Sequence, residues 1–393
     1  MVMQQHVIEI PFHETPCRII IGRESLPSIG QHVLETHHST QQSTSAAPPH
    51  AFIVSETIVY DLYGAQLCES LTRHKVKHTC CVLDRHDYGG SSESLKSYDA
   101  LRAICEHALS SHITRDSILI TLGGGVIGDV GGVAANLLLR GLPLIHVPTT
   151  LLAQVDSAIG GKTAINSRHG KNLIGTFYQP RRVVCDSATL TTLPQRHITA
   201  GYGEILKYAC IKDEPFFQWL DQHATSLLQG EGRDILYAIS HCAAMKADIV
   251  MHDEKEQGQR ALLNLGHSFC HALEAANAFD ESLLHGEGVL IGLLLAARLS
   301  VTLKHAPPSL EQRLYAHLER HQLLPEQLWT PATSLTTDTL LTCMQRDKKN
   351  RGNTMTLILM RAIGKAFIAP QCPIDPIRQT LDHYLTQQRT TPQ

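Results

Sequence analysis

Short runs of aliphatic and β-branched residues alternate with amphipathic stretches in the first half of the chain. The strands predicted from these runs are His6–Pro11, Cys17–Gly22, Ala51–Ser55, Thr79–Leu83, Ser117–Leu122 and Leu142–Val147. The helices predicted between them are Ser25–Thr36, Thr57–Ser70, Leu95–Leu109 and Val126–Leu139. The first two strands, separated by a polar turn, predict a hairpin. Strands that alternate with helices indicate a parallel, doubly wound sheet.

After Pro194 the pattern becomes helical. The helices predicted here are Glu204–Ile211, Glu214–Leu228, Asp234–His252, His267–Ala278, Gly286–Leu303 and Leu310–His321. Strand patterns return only at Thr354–Met360 and Ala366–Ala369. We therefore predict an α/β protein with a Rossmann-like parallel-sheet domain over residues 1–190, followed by a mainly α-helical domain over residues 191–393.

Composition narrows the classes of partner. The net charge of −3 and the pI near 6.8 favour neither a nucleic-acid-binding nor a membrane-surface protein. The 11 cysteines include no CxxC pair, which is typical of reduced thiols in a cytoplasmic protein. The N-terminus shows no secretory signal pattern, and the longest apolar run, Val289–Ala297, is too short to span a bilayer. We expect a cytoplasmic protein with no nucleic-acid or membrane partner.

A glycine-rich turn follows the strand at Ser117–Leu122. Gly123, Gly124 and Gly125 lead from this strand into a helix of small residues. Glycines let the backbone approach an anion, and a helix N-terminus supplies oriented N–H groups. The alternative is a tight turn that binds nothing. Asp129, one turn into the helix, favours nucleotide binding, because a carboxylate there can orient ligand groups.

Two lysines lie in polar, glycine-containing segments. Lys162 follows Gly-Gly, and Lys171 lies in the string GKN. Glycine beside lysine and hydroxyl groups favours phosphate binding, although Asp156 stands where a P-loop requires glycine. The alternative for either lysine alone is a solvated surface side chain. We expect both segments to be short and turn-rich, beside buried strands.

Histidines in the second half carry a possible metal site. His267 and His271 are spaced i, i+4 on one predicted helix, and His285 begins the string HGEG. The residue after His267 is Ser268, so the HExxH protease motif is absent. Histidines bonded to their helix neighbours are the alternative. The HGEG string and Glu204, in the string GEILK, favour an open zinc site.

These segments occur together with other strings along roughly residues 50–365. The strings are GGGVIGD, the Arg140-Gly141 pair, VPTTLLAQVDSAIGGKTAIN, GKNLIGTFYQP, GEILKYA, KADIV, DEKEQGQRALLNLGHSFCHALE, LLHGEGV and QRDKKNRG. In this order they resemble the 3-dehydroquinate synthase family. The resemblance assigns the metal to the helical domain and a nucleotide to the sheet domain.

The resemblance implies roles for individual residues. Glu204, His267 and His285 are implied as metal ligands, and His271 as a proton relay with Glu256. The implied catalytic set is His271, Glu256, Lys207, Lys246 and Asp156. The implied substrate contacts are Arg140, Asp156, Lys162, Asn172, Lys207, Lys246, Arg260, Asn264, Lys348 and Lys349. The implied NAD contacts are Glu93, Lys96, Gly125, Val126, Ile127, Gly128, Asp129, Thr149, Thr150, Lys162, Lys171, Thr189, Leu190, Thr191 and Thr192.

It also implies a reaction and an assembly. The family converts 3-deoxy-D-arabino-heptulosonate 7-phosphate, a sugar acid carrying a carboxylate and a phosphate, to 3-dehydroquinate in the shikimate pathway. NAD oxidises an alcohol transiently, phosphate leaves by β-elimination, the carbonyl is reduced again, and ring opening precedes an intramolecular aldol closure. The implied cofactors are NAD and one divalent metal, zinc with cobalt as the alternative. Arg140 is implied to reach a phosphate across a homodimer interface.

The sequence departs from the family's usual pattern in two places. Residues 91–96 read SSESLK, where the family usually has Asp-Gly-Glu before the lysine, and the helix after the glycine turn reads VGGVAANLLL, without the family's usual Thr-Gly-Phe.

Three alternative functions stay open: another sugar-phosphate cyclase, a metal-dependent glycerol or alcohol dehydrogenase, and a binding protein without activity. Lys246, Arg260 and Asn264, the implied carboxylate contacts, favour the acidic substrate, because a substrate without this group would leave them unpaired.

Overall fold

The computed structural model describes residues 5–12, 16–40, 49–230, 232–345 and 354–390. Two compact units are present: unit 1 comprises Met1–Pro194 and Gly230–Lys255, and unit 2 comprises Gln195–Gln229 and Glu256–Gln393. The chain thus leaves unit 1 at Pro194 and returns to it for one further helix. That helix lies in the part of the sequence where only the helical pattern is visible.

Most predicted strands are present within a few residues of their predicted ends. The described strands are β1 (His6–Ile10), β2 (Cys17–Gly22), β3 (His50–Glu56), β4 (Lys77–Leu83), β5 (Ile118–Gly123), β6 (Leu144–Pro148), β7 (Lys162–Ser167), β8 (Gly170–Phe177), β9 (Arg182–Asp186), β10 (Thr354–Met360) and β11 (Ala366–Pro373). The predicted hairpin is confirmed, because β1 pairs antiparallel with β2. The sequence pattern missed β7, β8 and β9.

Most predicted helices are present within a few residues of their predicted ends, although the helix predicted to start at Glu204 begins nine residues earlier, at Gln195. The described helices are α1 (Ile29–Thr40), α2 (Thr57–Arg73), α3 (Tyr98–Ser110), α4 (Gly125–Leu137), α5 (Gln195–Lys212), α6 (Glu214–Leu228), α7 (Gly232–His252), α8 (His267–Ala276), α9 (His285–Thr302), α10 (Ser309–Arg320), α11 (Pro325–Leu328), α12 (Thr337–Gln345) and α13 (Ile374–Thr390). The last three were not predicted. Among the described helices after Pro194, α7 is the one that belongs to unit 1, together with α1 to α4 from the first half of the chain.

Unit 1 is built on a seven-stranded sheet with the order β1-β2-β9-β6-β5-β3-β4. Every neighbouring pair in it is parallel except β1 and β2. The strands β3, β5 and β6 are buried along nearly their whole length, as expected for a parallel sheet covered on both faces. The predicted Rossmann-like α/β domain is confirmed.

The lysine segments of unit 1 differ from the expectation. Lys162 opens β7 and Lys171 lies in β8, and these strands pair with each other as an antiparallel hairpin separate from the main sheet. The prediction of short turn-rich segments was therefore wrong. The strand β8 is exposed or half-buried at every position, so its sequence lacks the apolar alternation that marks a half-buried strand.

Unit 2 is mainly helical, as predicted, with the hairpin β10–β11 as its sheet. Its central helix is α9, which is buried from Gly286 to Ala297. By length and composition α9 is also the one helix, among the residues that the structure describes, that could cross a membrane; most of it is buried inside the protein. The long apolar run Val289–Ala297 is therefore accounted for by its burial inside the protein.

Candidate metal and nucleotide sites

Two helices of unit 2 approach each other closely at glycine residues. A Cβ atom added at Gly286 of α9 would overlap the carbonyl oxygen of Ala200 in α5, and one added at Gly203 would overlap the carbonyl oxygen of Gly286. Side chains at these positions would hold the helices apart. Because Gly203 precedes Glu204 and Gly286 follows His285, this contact brings Glu204 beside His285.

Three side chains converge at this contact. The Nε2 atom of His285 lies 3.3 Å from Oε1 of Glu204. The Nε2 atom of His267, the first residue of α8, lies 3.6 Å from the same oxygen. One donor atom from each of the three residues lies within 4.8 Å of the others. The structure thus brings together the three residues implied as metal ligands.

The spacing of these atoms fits a tetrahedral cation. Zinc bonds of about 2.0–2.2 Å to nitrogen or oxygen place two tetrahedral ligands about 3.3–3.6 Å apart. The distances from Glu204 to the two histidines lie in this range. A carboxylate and two imidazoles also leave one tetrahedral position open, as catalytic zinc sites require. The residues present therefore fit a divalent metal.

Hydrogen bonds at the other ring nitrogens favour the ligand form of both histidines. Nδ1 of His267 lies 3.2 Å from the carbonyl oxygen of Leu265, and Nδ1 of His285 lies 3.4 Å from Oε2 of Glu274. A proton on Nδ1 leaves the Nε2 lone pair free for a metal. Burial lowers the pKa of His267 to about 3, whereas the pKa of His285 is raised by its neighbours Cys270 and Glu274 against the effect of burial.

A second group of ligand-type atoms overlaps the first. Cys270, Glu274 and His285 also lie within 4.8 Å of one another. Burial raises the pKa of the Cys270 thiol to about 12, so the thiol is protonated in the metal-free protein and would have to lose its proton to bind a metal. The thiol donates instead to the carbonyl oxygen of His285, at 3.3 Å. The first group is therefore the better metal site.

The remaining implied residues of unit 2 surround the first group. Lys207 is buried, and its Nζ atom lies 2.7 Å from Oε2 of Glu204. The ring of His271 is exposed, with its centroid 5.5 Å from that of His267 and 5.9 Å from that of His285. Its position beside the ligands suits a non-ligand histidine.

Two more implied residues of unit 2 have defined places. Asn264 donates from Nδ2 to Oε1 of Glu256 at 2.6 Å, and Arg260, in the same short turn as Asn264, is almost wholly buried. The proton relay between His271 and Glu256 stays a prediction. Lys348 and Lys349 lie outside the described residues.

The glycine-rich turn of unit 1 has the form of an anion cradle. β5 ends at Gly123, Gly124 is extended, and α4 begins at Gly125. A Cβ atom added at Gly125 would lie 2.8 Å from Oγ of Ser157, so glycine permits this close approach. A small cavity beside the turn is lined by its glycines and by residues such as Pro148 and His146. A strand, a glycine-rich turn and a helix N-terminus in this order are the arrangement that many phosphate-binding sites use.

A polar network lies beside this turn. Lys96 is buried; its Nζ atom lies 2.6 Å from Oδ2 of Asp129 and also donates to Oδ1 of Asn172. Glu93 accepts a hydrogen bond from Nδ2 of Asn166 at 2.7 Å. Burial raises the pKa of Asp129, and the charge of Lys96 opposes that shift. Asn172, implied as a substrate contact, is thus held among residues implied to bind NAD.

Glu93 and Lys96 also line a cavity of about 780 Å³, together with residues of β7, β8 and the turn that joins them. A volume of this size is within the usual range for small-molecule pockets. The SSESLK departure from the family therefore leaves a lysine and a glutamate in place at a pocket of unit 1.

The other implied residues of unit 1 are more dispersed. Lys246 of α7 pairs with Asp156, Nζ to Oδ1, at 2.6 Å and also donates to the Asp156 carbonyl oxygen at 2.7 Å. Lys162 and Arg140 are exposed. The turn Ser187–Thr192 is tied to α2 by Tyr63, whose hydroxyl donates to the carbonyl oxygen of Thr189 at 3.0 Å. Thr149 is buried after β6.

The sequence pattern did not indicate the residues that hold the candidate metal ligands in place. Arg196 donates from Nε and from a terminal guanidinium nitrogen to the two carboxylate oxygens of Glu287, each at 2.6 Å. Glu287 in turn accepts from the backbone N–H of Leu284, which fixes the turn before His285. Glu274 contacts His285 directly. Two features of the sequence could have indicated these residues. Glu287 follows His285 by two residues, and Glu274 lies seven residues after His267 in the same helix.

Comparison with known proteins agrees with this geometry. A family model described as 3-dehydroquinate synthase N-terminal matches residues 89–200, and one described as 3-dehydroquinate synthase C-terminal matches residues 201–350. Together they match more than half of the chain. The chain belongs to the 3-dehydroquinate synthase family. A 3-dehydroquinate synthase of Rhodopseudomonas palustris strain TIE-1 is 40% identical over 385 residues, which cover 97% of each chain.

Solved structures related to this family share the fold. A 2-epi-5-epi-valiolone synthase from Streptomyces hygroscopicus subsp. jinggangensis 5008, with NAD+ and Zn2+ bound, is 27% identical with a TM-score of 0.81 and covers 96% of this chain and 98% of its own. A 2-deoxy-scyllo-inosose synthase complexed with carbaglucose-6-phosphate, NAD+ and Co2+ is 23% identical with a TM-score of 0.83. The match covers 96% of this chain and 100% of the synthase chain. The second likeness shows the fold alone.

Proposed function

We propose that the protein is a 3-dehydroquinate synthase, a carbon–oxygen lyase that converts 3-deoxy-D-arabino-heptulosonate 7-phosphate into 3-dehydroquinate and phosphate. The observation that carries the proposal is the convergence of Glu204, His267 and His285 in a chain matched by both halves of this family. The phosphate-binding type of turn before α4 provides the place for NAD.

The two cofactors supply the redox and Lewis-acid chemistry. When bound, NAD accepts and returns a hydride, and the divalent metal polarises the alcohol and carbonyl oxygen at the same carbon. Glu204, His267 and His285 hold the metal in this proposal. The turn at Gly125–Asp129 holds NAD, and Lys96 keeps Asp129 in place by its 2.6 Å ion pair.

The protein's own residues bind and orient the substrate. Lys207, 2.7 Å from the ligand Glu204, places a positive charge beside the metal site, where it can orient a substrate hydroxyl. His271 presents an exposed imidazole next to the two ligand histidines, and an imidazole can move a proton near neutral pH.

The implied substrate contacts include several positively charged side chains, which suit a substrate with two anionic groups. Lys246, Arg260 and Asn264 serve the carboxylate in this proposal. Lys162, Asn172 and Arg140 serve the phosphate, with Arg140 acting in a homodimer. Arginine and lysine recognise carboxylates and phosphates through charge-assisted hydrogen bonds. We also propose a cytoplasmic location, in keeping with the reduced thiols.

Substrate comparison tests the proposal against other cyclases. The protein, loaded with NAD and Zn2+, is given 3-deoxy-D-arabino-heptulosonate 7-phosphate, sedoheptulose 7-phosphate or glucose 6-phosphate, and phosphate release is measured. We expect kcat/KM to favour the acidic sugar by about 10⁴-fold, because a site built to bind a polar group rejects an analogue that lacks it.

The variant Arg260→Met provides the control for this selectivity. This substitution should lower kcat/KM for the acidic sugar much more than for either of the two sugar phosphates that lack a carboxylate. A parent protein that releases phosphate faster from sedoheptulose 7-phosphate or glucose 6-phosphate than from the acidic sugar would identify a different cyclase.

A further inference from the structure

We propose that Glu274 is a positioning residue that orients His285 for metal binding. The imidazole of His285 lies between two carboxylates: Nε2 is 3.3 Å from Oε1 of Glu204, and Nδ1 is 3.4 Å from Oε2 of Glu274. Glu204 is a ligand, whereas Glu274 lies at the far side of the ring. This inference rests on the metal site of the proposed function.

The position of Glu274 in α8 explains how it reaches His285. Glu274 lies seven residues after His267, which is about two helical turns, so both side chains extend from the same face. One turn of α8 between them carries Cys270, whose sulfur lies 3.7 Å from Oε2 of Glu274. A single helix therefore supplies one ligand and the group that orients another.

Burial gives a reason for a carboxylate at this position. Glu274 is 5% exposed, and removing a carboxylate from water costs free energy unless hydrogen-bond donors and positive charge compensate. The Nδ1–H group of His285 is such a donor. When a carboxylate accepts a hydrogen bond from Nδ1–H, it fixes the tautomer of His285 in which Nε2 carries the lone pair. It also makes the imidazole a stronger electron-pair donor to the metal.

The two histidine ligands are thus held in different ways. Nδ1 of His267 is bonded to the backbone carbonyl of Leu265, whereas Nδ1 of His285 is bonded to a side chain. Only the second hydrogen bond can be removed by a substitution that leaves the ligand itself unchanged. Glu274 therefore offers a direct test of how much ring orientation contributes to metal affinity.

The test compares Glu274→Leu, Glu274→Asp, Glu274→Gln and Cys270→Ala with the parent. Each full-length protein is stripped of metal and titrated with Zn2+ against a competing chelator, and the visible absorption of the Co2+ form is recorded. Leucine removes the acceptor, aspartate keeps the charge but is one methylene shorter, and glutamine keeps an oxygen at the same reach. No NAD or substrate is present.

We expect Glu274→Leu and Glu274→Asp to weaken Zn2+ binding about 10–100-fold and to shift the Co2+ spectrum, as losses of such partners usually do. Glu274→Gln should bind more tightly than either, and Cys270→Ala should match the parent. If the leucine variant does not fold, the comparison of glutamine with aspartate decides. Parent-like affinity and spectrum in Glu274→Asp, or tighter binding by aspartate than by glutamine, would overturn the proposal.

Two further outcomes separate this inference from the proposed function. A loss of affinity in Cys270→Ala as large as that in Glu274→Leu would place the metal at Cys270, Glu274 and His285 instead and overturn the positioning role. A parent that binds Zn2+ as expected but releases no phosphate from the acidic sugar would refute the proposed function while leaving the role of Glu274 in metal binding intact.

Discussion

Replacing His267 by alanine is expected to remove the bound metal and to abolish nearly all activity. The substitution leaves Glu204 and His285 as the remaining ligands, and two ligands hold a divalent cation weakly. We expect the affinity for Zn2+ to fall by more than about 100-fold, since losing even an outer partner of a ligand costs 10–100-fold. Lewis-acid stabilisation is worth several kcal/mol, so kcat should fall at least about 100-fold.

The matched control for this variant is His271→Ala, in the same helix one turn later. His271 is not part of the converging group, so its loss should lower activity while leaving the metal content unchanged. Metal analysis of the two purified variants distinguishes a ligand from a neighbour. Full metal content and full activity in His267→Ala would contradict the assignment, and metal loss in His271→Ala alone would reverse it.

The second large effect is expected from Gly286→Ala. The added methyl group would overlap the carbonyl oxygen of Ala200, and backbone atoms cannot move aside as a flexible side chain can. The helices α5 and α9 would have to separate, which overpacks the core at a cost of about 3 kcal/mol or more. Because Glu204 and His285 flank this contact, the metal affinity should fall together with stability.

Urea unfolding and Zn2+ titration of this variant check both effects. The control for stability is Gly128→Ala in α4, where an added Cβ would lie 3.9 Å from the nearest atom, in ordinary contact. That variant should unfold at the same urea concentration as the parent or slightly above it, because alanine favours a helix. A parent-like unfolding midpoint and metal affinity in Gly286→Ala would show that the close helix contact does not position the site.

The sequence pattern predicted most of the elements that bury apolar side chains, although the short buried strand β9 was missed. The strand at Ser117–Leu122 and the helix Glu214–Leu228 were visible because burial requires a continuous or periodic apolar pattern. The hairpin β7–β8 was missed for the opposite reason: its strands are mostly exposed or half-buried, and backbone hydrogen bonds, which every sequence can make, define it.

The residues of the candidate metal site were likewise predicted only in part from the sequence. Histidine spacing and the HGEG string indicated His267 and His285, because few side chains bind zinc and their spacing can be read directly. Arg196 could not be recognised in this way, and the i, i+7 spacing of Glu274 from His267 was a weak signal. A glutamate or arginine on a helix usually faces water, and only the packing of α5, α8 and α9 shows that these contact the ligands or their supporting turn.

The most direct test of the central proposal follows phosphate and NADH in one reaction. The protein is supplied with Zn2+, an amount of NAD close to its own concentration, and a large excess of 3-deoxy-D-arabino-heptulosonate 7-phosphate. A synthase that returns the hydride in every cycle should release phosphate over many turnovers while absorbance at the NADH band stays flat. NADH that accumulates in step with substrate consumption, without phosphate release, would contradict the proposal and identify a dehydrogenase.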